Sequence, residues 1–538
     1  MKDTNNVTSL DTAEQIYQHK TSIGHRKKFA QFFTPLEIAQ IMCSWILGNK
    51  NITSILEPAF GLGIFSRILL KENPSLQIKA FEIDSTIHNF AKDIFESFQS
   101  DIDVQLKDYI YNDWDKKYDG IICNPPYLKF HDYSNKEALF KFEQETNFKL
   151  NGFSNLYVIF LLKSLFQLGK NGRMAYIIPS EFQNSDYGER VKEFILNHGS
   201  LRYIININSK EKTFNDAITT ACILLFSNDD LHSDVEFINV DDISKIKDIT
   251  RVIYDYPLKH NNLEHFCIRT VPQKELNASI KWKNYSQESK LQSYRDLVPF
   301  SKYGKVSRGI ATGCNDFFTM NCTKIKIFNI DQRYLSPCVC KSIKLKSSFF
   351  TQDTFDLLLK KNIPVYLLDV SDEEDSNIRR YLELGVNQGV SKKHLTSKRN
   401  PWYLTERRLP SPIWVSVFNR SGLKFIKNEI MAKNLTTYHC LYNNYVISDD
   451  LLFAYLLTDT AKNILEENSR EYGNGLQKFE PNDINKSYML DLELLEAKQV
   501  SKILESYQNY RKSDINGNPD KSFIKQIDKI LIGNFLKK

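Results

Sequence analysis

Ser54-Ile-Leu-Glu57-Pro58-Ala59-Phe60-Gly61-Leu62-Gly63-Ile64-Phe65, followed by Ala80-Phe81-Glu82-Ile83-Asp84, decides the fold. The apolar run Ile52–Leu56 reads as a strand, the two glycines as a tight turn, and Ile64–Lys71 as a helix. Ile78–Phe81 is a second strand that ends in acid, Val104–Leu106 a third, and Tyr118–Cys123 a fourth. Asn155–Leu168 has helical spacing, Met174–Ile178 reads as a strand, and Tyr187–Asn197 is helical. Tyr203–Ile207 and Thr219–Phe226 complete the series. Short apolar strands alternating with amphipathic helices predict an α/β domain with a doubly wound, mixed sheet of the Rossmann-like kind. In such a sheet a ligand belongs at the carboxyl ends of the strands.

Working outward, the 538 residues suffice for two or three domains. The alternation spans about Phe29 to Asn228 and fades after about residue 240 into polar sequence that runs to about Pro299. The expected division is an N-terminal extension over 1–28, a catalytic domain over 29–245, a linker over 246–295, and a mixed α+β domain with C-terminal helices over 296–538. A composition of 42% hydrophobic and 25% charged residues is that of a globular protein and excludes general disorder. The longest apolar stretch, Leu156–Leu168, is interrupted by Lys163 and Ser164 and is too short to span a bilayer. The polar start Met1–Leu10 lacks a secretory apolar segment, so a cytoplasmic protein with no membrane partner is expected. Nine scattered cysteines predict neither a disulfide nor a metal site.

The chemistry begins at the glycine turn. Gly61 and Gly63 let the backbone approach a ligand closely just before a helix N-terminus. Glu82, about 20 residues on, suits an acid that accepts hydrogen bonds from both ribose hydroxyls of a nucleoside cofactor, with Ile83 beside it. A third glycine is missing, which argues against a pyrophosphate-bearing dinucleotide and allows S-adenosylmethionine. Asp108, at the end of the third strand, is placed to accept from an adenine amino group, with Tyr109 beside the ring.

Asn124-Pro125-Pro126-Tyr127 follows the fourth strand directly. Four specified residues at roughly 5% each would occur by chance about 0.003 times in a chain of this length. An exocyclic amine on an aromatic ring is a poor nucleophile because its lone pair is delocalised. The Asn124 carbonyl and a prolyl carbonyl can hold its two N–H groups and localise that pair toward a methyl donor. The prolines stiffen the turn, and Tyr127 offers a ring for stacking. A base in a duplex cannot reach such a pocket unless it is flipped out. No metal is needed.

Together these segments resemble the gamma-order amino-group DNA methyltransferases, adenine-N6-specific and of the Asn-Pro-Pro-Tyr type, which end in a target-recognition domain. Gln31-Phe32-Phe33-Thr34-Pro35 resembles the first motif of that family, which implies that Thr34 and Pro35 lie over the cofactor methionine. Glu57–Phe65, with Ala59, resembles the glycine-rich motif, with Phe60 and Leu62 where small residues are usual. Glu82 and Asp108 match its two acids, and Asn124 and Pro126 also border the cofactor. Ile178-Pro179-Ser180 resembles a later motif. Thr213-Phe214 resembles the segment whose ring stacks on the flipped adenine opposite Tyr127. Asn155-Leu156-Tyr157 stands where Asp-Leu-Tyr is common.

Double-stranded DNA is therefore the expected partner, with a monomeric enzyme that is either the modification counterpart of a separate cognate restriction endonuclease or an orphan. Although the net charge is only +6, residues 391–434 carry ten Lys/Arg against two acids, interleaved with aromatics. Arg308-Gly309-Ile310-Ala311-Thr312-Gly313 and Gln477-Lys478-Phe479-Glu480-Pro481 are similar to recognition-domain segments. The expected DNA contacts are Arg308, Thr312, Lys398, Arg399, Trp402, Arg407, Arg408 and Lys478. Three alternatives remain at this stage. One is a methyltransferase acting on protein glutamine or on the amino group of guanine in RNA. Another is a methylase–nuclease fusion, for which Glu496-Ala497-Lys498 gives only a faint signal better read as an amphipathic helix. The last is a non-catalytic DNA-binding subunit.

Overall fold

Neighbouring residues of the central strands point to opposite faces, and both faces are apolar. Ile55, Ile78, Ala80, Ile122, Ala175 and Ile177 enter one buried core; Leu56, Phe81, Ile121, Cys123, Met174, Tyr176 and Ile178 enter another. A sheet buried on both faces needs helices on each side, and the chain supplies them. The computed structural model describes residues 12–96, 102–185, 187–207, 221–231, 234–240, 242, 245, 247–257, 266–286, 290–341, 345, 347–371, 375–419, 422–467, 470–472 and 476–537.

In chain order the first part comprises α1 (Thr12–Lys20), α2 (Ile23–Lys28), α3 (Leu36–Leu47), β1 (Ser54–Glu57), α4 (Ile64–Glu72), β2 (Gln77–Glu82), α5 (Ser85–Phe95) and β3 (Ile102–Leu106). Then come β4 (Tyr118–Cys123), α6 (Asn135–Thr146), α7 (Leu156–Gln167), β5 (Leu168–Pro179), α8 (Gly188–His198), β6 (Leu201–Ile207), β7 (Ala221–Ser227), β8 (Asp234–Val240), α9 (Lys247–Tyr254) and β9 (Cys267–Pro272). The nine strands form one sheet in the order β3-β2-β1-β4-β5-β7-β6-β8-β9. β3 to β5 are mutually parallel, β7 runs antiparallel to β5 and β6, and β9 is antiparallel to β8. This is the doubly wound mixed sheet expected, and the strand order reverses between β1 and β4, where a ligand crevice forms.

Two boundaries differ from expectation. Residues 12–28 are no extension: Ala13 and Tyr17 lie in the core, and Glu14 pairs with the buried Arg67 of α4. Nor is 246–295 a linker throughout. Ile249, Val252 and Ile253 of α9 are buried in the first core, and β9 is the ninth strand of the sheet. Their polar faces meet solvent, which is why the segment reads as connecting sequence. The chain divides at residues 288 and 289 into two compact units, with 471–475 grouped with the first.

The second unit is built on a five-stranded sheet of Gly304–Arg308, Tyr438–Asn443, Ile413–Ser416, Phe425–Asn428 and Phe349–Phe350. It packs with the C-terminal helices Ala497–Ile515 and Ser522–Phe535 around Phe349, Phe425, Phe453, Tyr507 and Leu531. Glu496 caps the first of these helices through a capping box with Gln499, as the amphipathic-helix reading requires. A four-stranded sheet around Met320, Leu335 and Leu367 completes the α+β arrangement. Among the described residues no helix is long and apolar enough to cross a membrane.

Candidate active site

The ends of four parallel strands carry the expected side chains to one place. Glu57 is the last residue of β1 and Glu82 of β2; Asp108 lies two residues past β3, and Asn124 follows β4. A cavity of about 500 Å³ is lined by Thr34, Glu57, Ala59, Gly61, Glu82, Ile83, Asp108, Tyr109, Asn124 and Pro126, among others. That volume is in the range of small-molecule and cofactor pockets.

Gly61 and Gly63 both adopt positive φ, +57° and +66°. At Gly63, the N-cap of α4, a Cβ would strike the Phe60 and Phe95 rings, so this glycine is there for packing. At Gly61 a Cβ would meet nothing, so this glycine is there for the turn. Phe60 and Leu62, the departures from the family pattern, are buried in the core and also border the cavity. The Glu82 carboxylate accepts the N–H groups of Gly61 (2.9 Å), Ile83 (2.8 Å) and Asp84 (2.9 Å), which ties the glycine turn to the end of β2. Burial pushes this carboxyl up, and those three donors oppose the shift.

Glu57 is fully buried. Ser66 of α4 donates to one of its oxygens, and the other, Oε1, has no partner among the described residues. Burial raises its carboxyl to about 8, with the Ser66 bonds opposing. Asp108 caps the short turn Tyr109–Tyr111 by accepting the Ile110 N–H at 2.9 Å, and burial raises its carboxyl too. Tyr109 lines the cavity, while its hydroxyl is anchored in the core by Ser164 (2.9 Å) and Gln167, which fixes the ring in place.

At Asn124 the side-chain amide donates to the Phe32 carbonyl (2.9 Å) and to Thr34 Oγ1 (3.0 Å). A carbonyl accepts only, so the amide nitrogen must face Phe32, and this leaves Oδ1 buried at the cavity wall with no partner among the described residues. Thr34 is thereby used as much for orienting Asn124 as for lining the cavity. Pro35 starts α3 and, like Gly63, stands outside the lining. Pro125 is buried, and Tyr127 donates its hydroxyl to the Ile177 carbonyl (3.1 Å). The Tyr127 ring stacks on Phe32 with centroids 5.8 Å apart. Sequence reasoning did not single out Phe32; its place beside Thr34-Pro35 was the available signal. Phe214 lies outside the described residues.

Two further polar groups organise this corner. Asp84 caps α5 and accepts from His25 (2.7 Å) and Gln31 (2.7 Å), which ties α2 and the segment before Thr34 to the end of β2. Lys163 of α7 is fully buried. Its Nζ donates to the carbonyls of Tyr109 and Asn112 and lies 3.9 and 4.5 Å from the centroids of the Tyr109 and Trp114 rings. A lone lysine in an apolar helix was the signal for it.

In the second unit much of the basic-aromatic stretch points inward. Trp414, Phe425 and Tyr403 are buried, Lys427 pairs with Asp450 (3.0 Å), and Lys433 with Asp369 (2.6 Å). Of the expected DNA contacts, Thr312 is buried and bonded to Asn315, whereas Arg399 and Trp402 are half-buried: Arg399 donates to the carbonyls of Ala311 and Thr312, and Trp402 packs on Phe317. Arg408 pairs with Glu406 (2.8 Å). Arg308 and Lys478 both pair with Glu480, at 2.7 Å each, and despite burial they hold that carboxyl down at about 2. Lys398 and Arg407 remain exposed.

Residues 41–214 match the family described as the Eco57I restriction-modification methylase, and residues 273–523 match the C-terminal domain of the type II methyltransferase M.Eco57I. The sequence is 50% identical to the type II methyltransferase M.AccI of Acinetobacter calcoaceticus, over 100% of this chain and 99% of that one. The chain belongs to the type II DNA methyltransferases of the Eco57I family. The methyltransferase is also 27% identical to M.HindII of Haemophilus influenzae, over 65% of its own length and 68% of that relative. In fold it is similar to DrdV, whose structure was determined as a DNA complex by cryo-EM, with a TM-score of 0.53 at 12% identity. That similarity covers 94% of the methyltransferase and 59% of DrdV.

Proposed function

We propose that this methyltransferase moves a methyl group from S-adenosylmethionine to the N6 amino group of an adenine flipped out of double-stranded DNA. The observation that carries the reading is Asn124, whose amide is fixed by Phe32 and Thr34 so that Oδ1 is a buried, unpartnered acceptor at the cavity wall.

The donor set fits the cofactor. Glu57 offers a second unpartnered buried oxygen, and Glu82 and Asp108 are acids with acceptor capacity remaining beside their backbone donors. Glu82 and Ile83 would hold the ribose side, Asp108 the adenine amino group, and Thr34, Glu57 and Ala59 the methionine side. When bound, the cofactor supplies an electrophilic methyl group on a positively charged sulfur. Asn124 Oδ1 and a carbonyl of the Pro125-Pro126 turn accept the two N–H groups of the target amine, which draws its lone pair out of the ring. Tyr127 and Phe214 stack on the base. Because these acceptors are positioned before reaction, little reorganisation opposes the transfer.

The enzyme acts as a monomer at one DNA sequence and protects it from a cognate restriction endonuclease. Sequencing that reads modified bases, on DNA from cells with and without the protein, tests this. N6-methyladenine at one recurring sequence is expected. Methylated cytosine would overturn the adenine assignment, and labelled methyl found in protein or RNA with none in DNA would overturn the substrate.

A further inference from the structure

Lys163 sits where a lysine is costly. α7 is apolar on nearly every side, and burying an ammonium is unfavourable unless it is paired. Its donors go to the Tyr109 and Asn112 carbonyls, in the turn that begins at Asp108. Neutral groups already pin that turn: Trp114 Nε1 donates to the Ile110 carbonyl (2.7 Å), Gln167 to that of Asp113, and Asn112 Nδ2 to that of Asp108 (2.8 Å). What Lys163 alone adds is an ionisable positive charge beneath the turn.

The charged groups around it are few. Asp113 is engaged by Lys79 (2.6 Å) and Tyr118, and on α6 Lys141 and Glu145 pair with each other (2.5 Å). Asp113 also helps keep the ammonium charged but has Lys79 as its own partner, whereas Asp108, at the head of the turn whose carbonyls Lys163 holds, makes no ion pair among the described residues and is the carboxylate the ammonium serves. We propose that Lys163 is a positioning residue for cofactor recognition, which keeps Asp108 ionised and its turn in place. This rests on the reading of Asp108 as the acceptor for the cofactor's adenine amino group. Burial drives the Lys163 ammonium down to about 7, with Asp113 and Asp108 opposing, so its charge is lost as pH rises through neutrality.

The test is calorimetric binding of S-adenosylhomocysteine to the wild type and to Lys163→Arg, Lys163→Met and Asp108→Asn, below and above pH 7. Lys163→Arg keeps its charge throughout. Its affinity relative to the wild type is expected to be flat below pH 7 and to rise several-fold above it. Other titrating groups are common to both proteins and cancel in that ratio. Lys163→Met is expected to bind roughly tenfold more weakly at pH 6, the scale of one charged hydrogen bond. It should cause no further loss in the Asp108→Asn background. A ratio flat across the whole range, or a Lys163→Met loss that persists without the Asp108 charge, would overturn the proposal and leave Lys163 a structural staple. The ratio decides even if Lys163→Met does not fold. Unchanged affinity in Asp108→Asn is a distinct failure: it removes the Asp108 assignment itself, and this proposal with it.

Discussion

At Asn124 the direction of one amide decides the chemistry. With its nitrogen held by Phe32 and Thr34, the oxygen is the only part left to meet a substrate. Asn124→Ala should cut turnover by a factor on the order of 100 or more, as loss of one preorganised polar group does elsewhere. Tyr127→Ala should act in the same direction. In both, DNA affinity measured by fluorescence anisotropy should stay near its original level; an equal fall in binding would make the tetrapeptide structural. Glu57 gives a second expectation. Burial raises its carboxyl from 4.5 to about 8, so across that window the folded chain keeps a proton that the unfolded chain has lost, and stability falls as pH rises. Glu57→Gln should therefore raise the melting temperature, by more at pH 8 than at pH 5, while weakening binding of S-adenosylmethionine. A melting temperature that drops equally at both pH values would show that the carboxyl is not strained by burial.

Among the elements, the joint between α2, the Gln31–Pro35 segment and the end of β2 matters most to the site. Asp84 makes it, by capping α5 at Thr86 and accepting from His25 and Gln31. Burial works against the charge, yet these donors hold the carboxyl below its ordinary value of 3.8. The stability it contributes is therefore complete above that value and disappears as pH falls through the lowered one. Asp84→Asn should cost about 1.5–3 kcal/mol at pH 7, the range for hydrogen bonds to a charged group, and the difference should shrink toward pH 3. Urea unfolding at the two pH values checks both. A gap that stays constant with pH would assign the loss to packing. α7 shows the same logic in reverse: an apolar helix legible from its periodicity carries a buried lysine whose partners lie more than fifty residues away.

For the whole molecule, DNA binding should depend on the basic side chains that remain in water. Lys398→Ala with Arg407→Ala should lower affinity and reduce the slope of log K against log salt by up to about 2, near 0.9 for each phosphate no longer neutralised. Lys427→Ala should leave that slope unchanged and lower stability instead, because Lys427 is buried and paired with Asp450. An equal effect of both on the slope would return the whole stretch to the DNA surface. The sequence by itself determined the doubly wound sheet, the strands that end in Glu57, Glu82, Asp108 and Asn124, and the tetrapeptide. These rest on periodicity, turn residues and short spacing, all local along the chain. Only the tertiary structure decided which way the Asn124 amide faces, that Thr312 and Trp414 are buried packing residues, and that 12–28 and much of 246–286 belong to the first unit. Each of those depends on a partner distant in sequence, and a polar or aromatic residue looks the same in one dimension whether its partner is water, a ligand or a buried carbonyl.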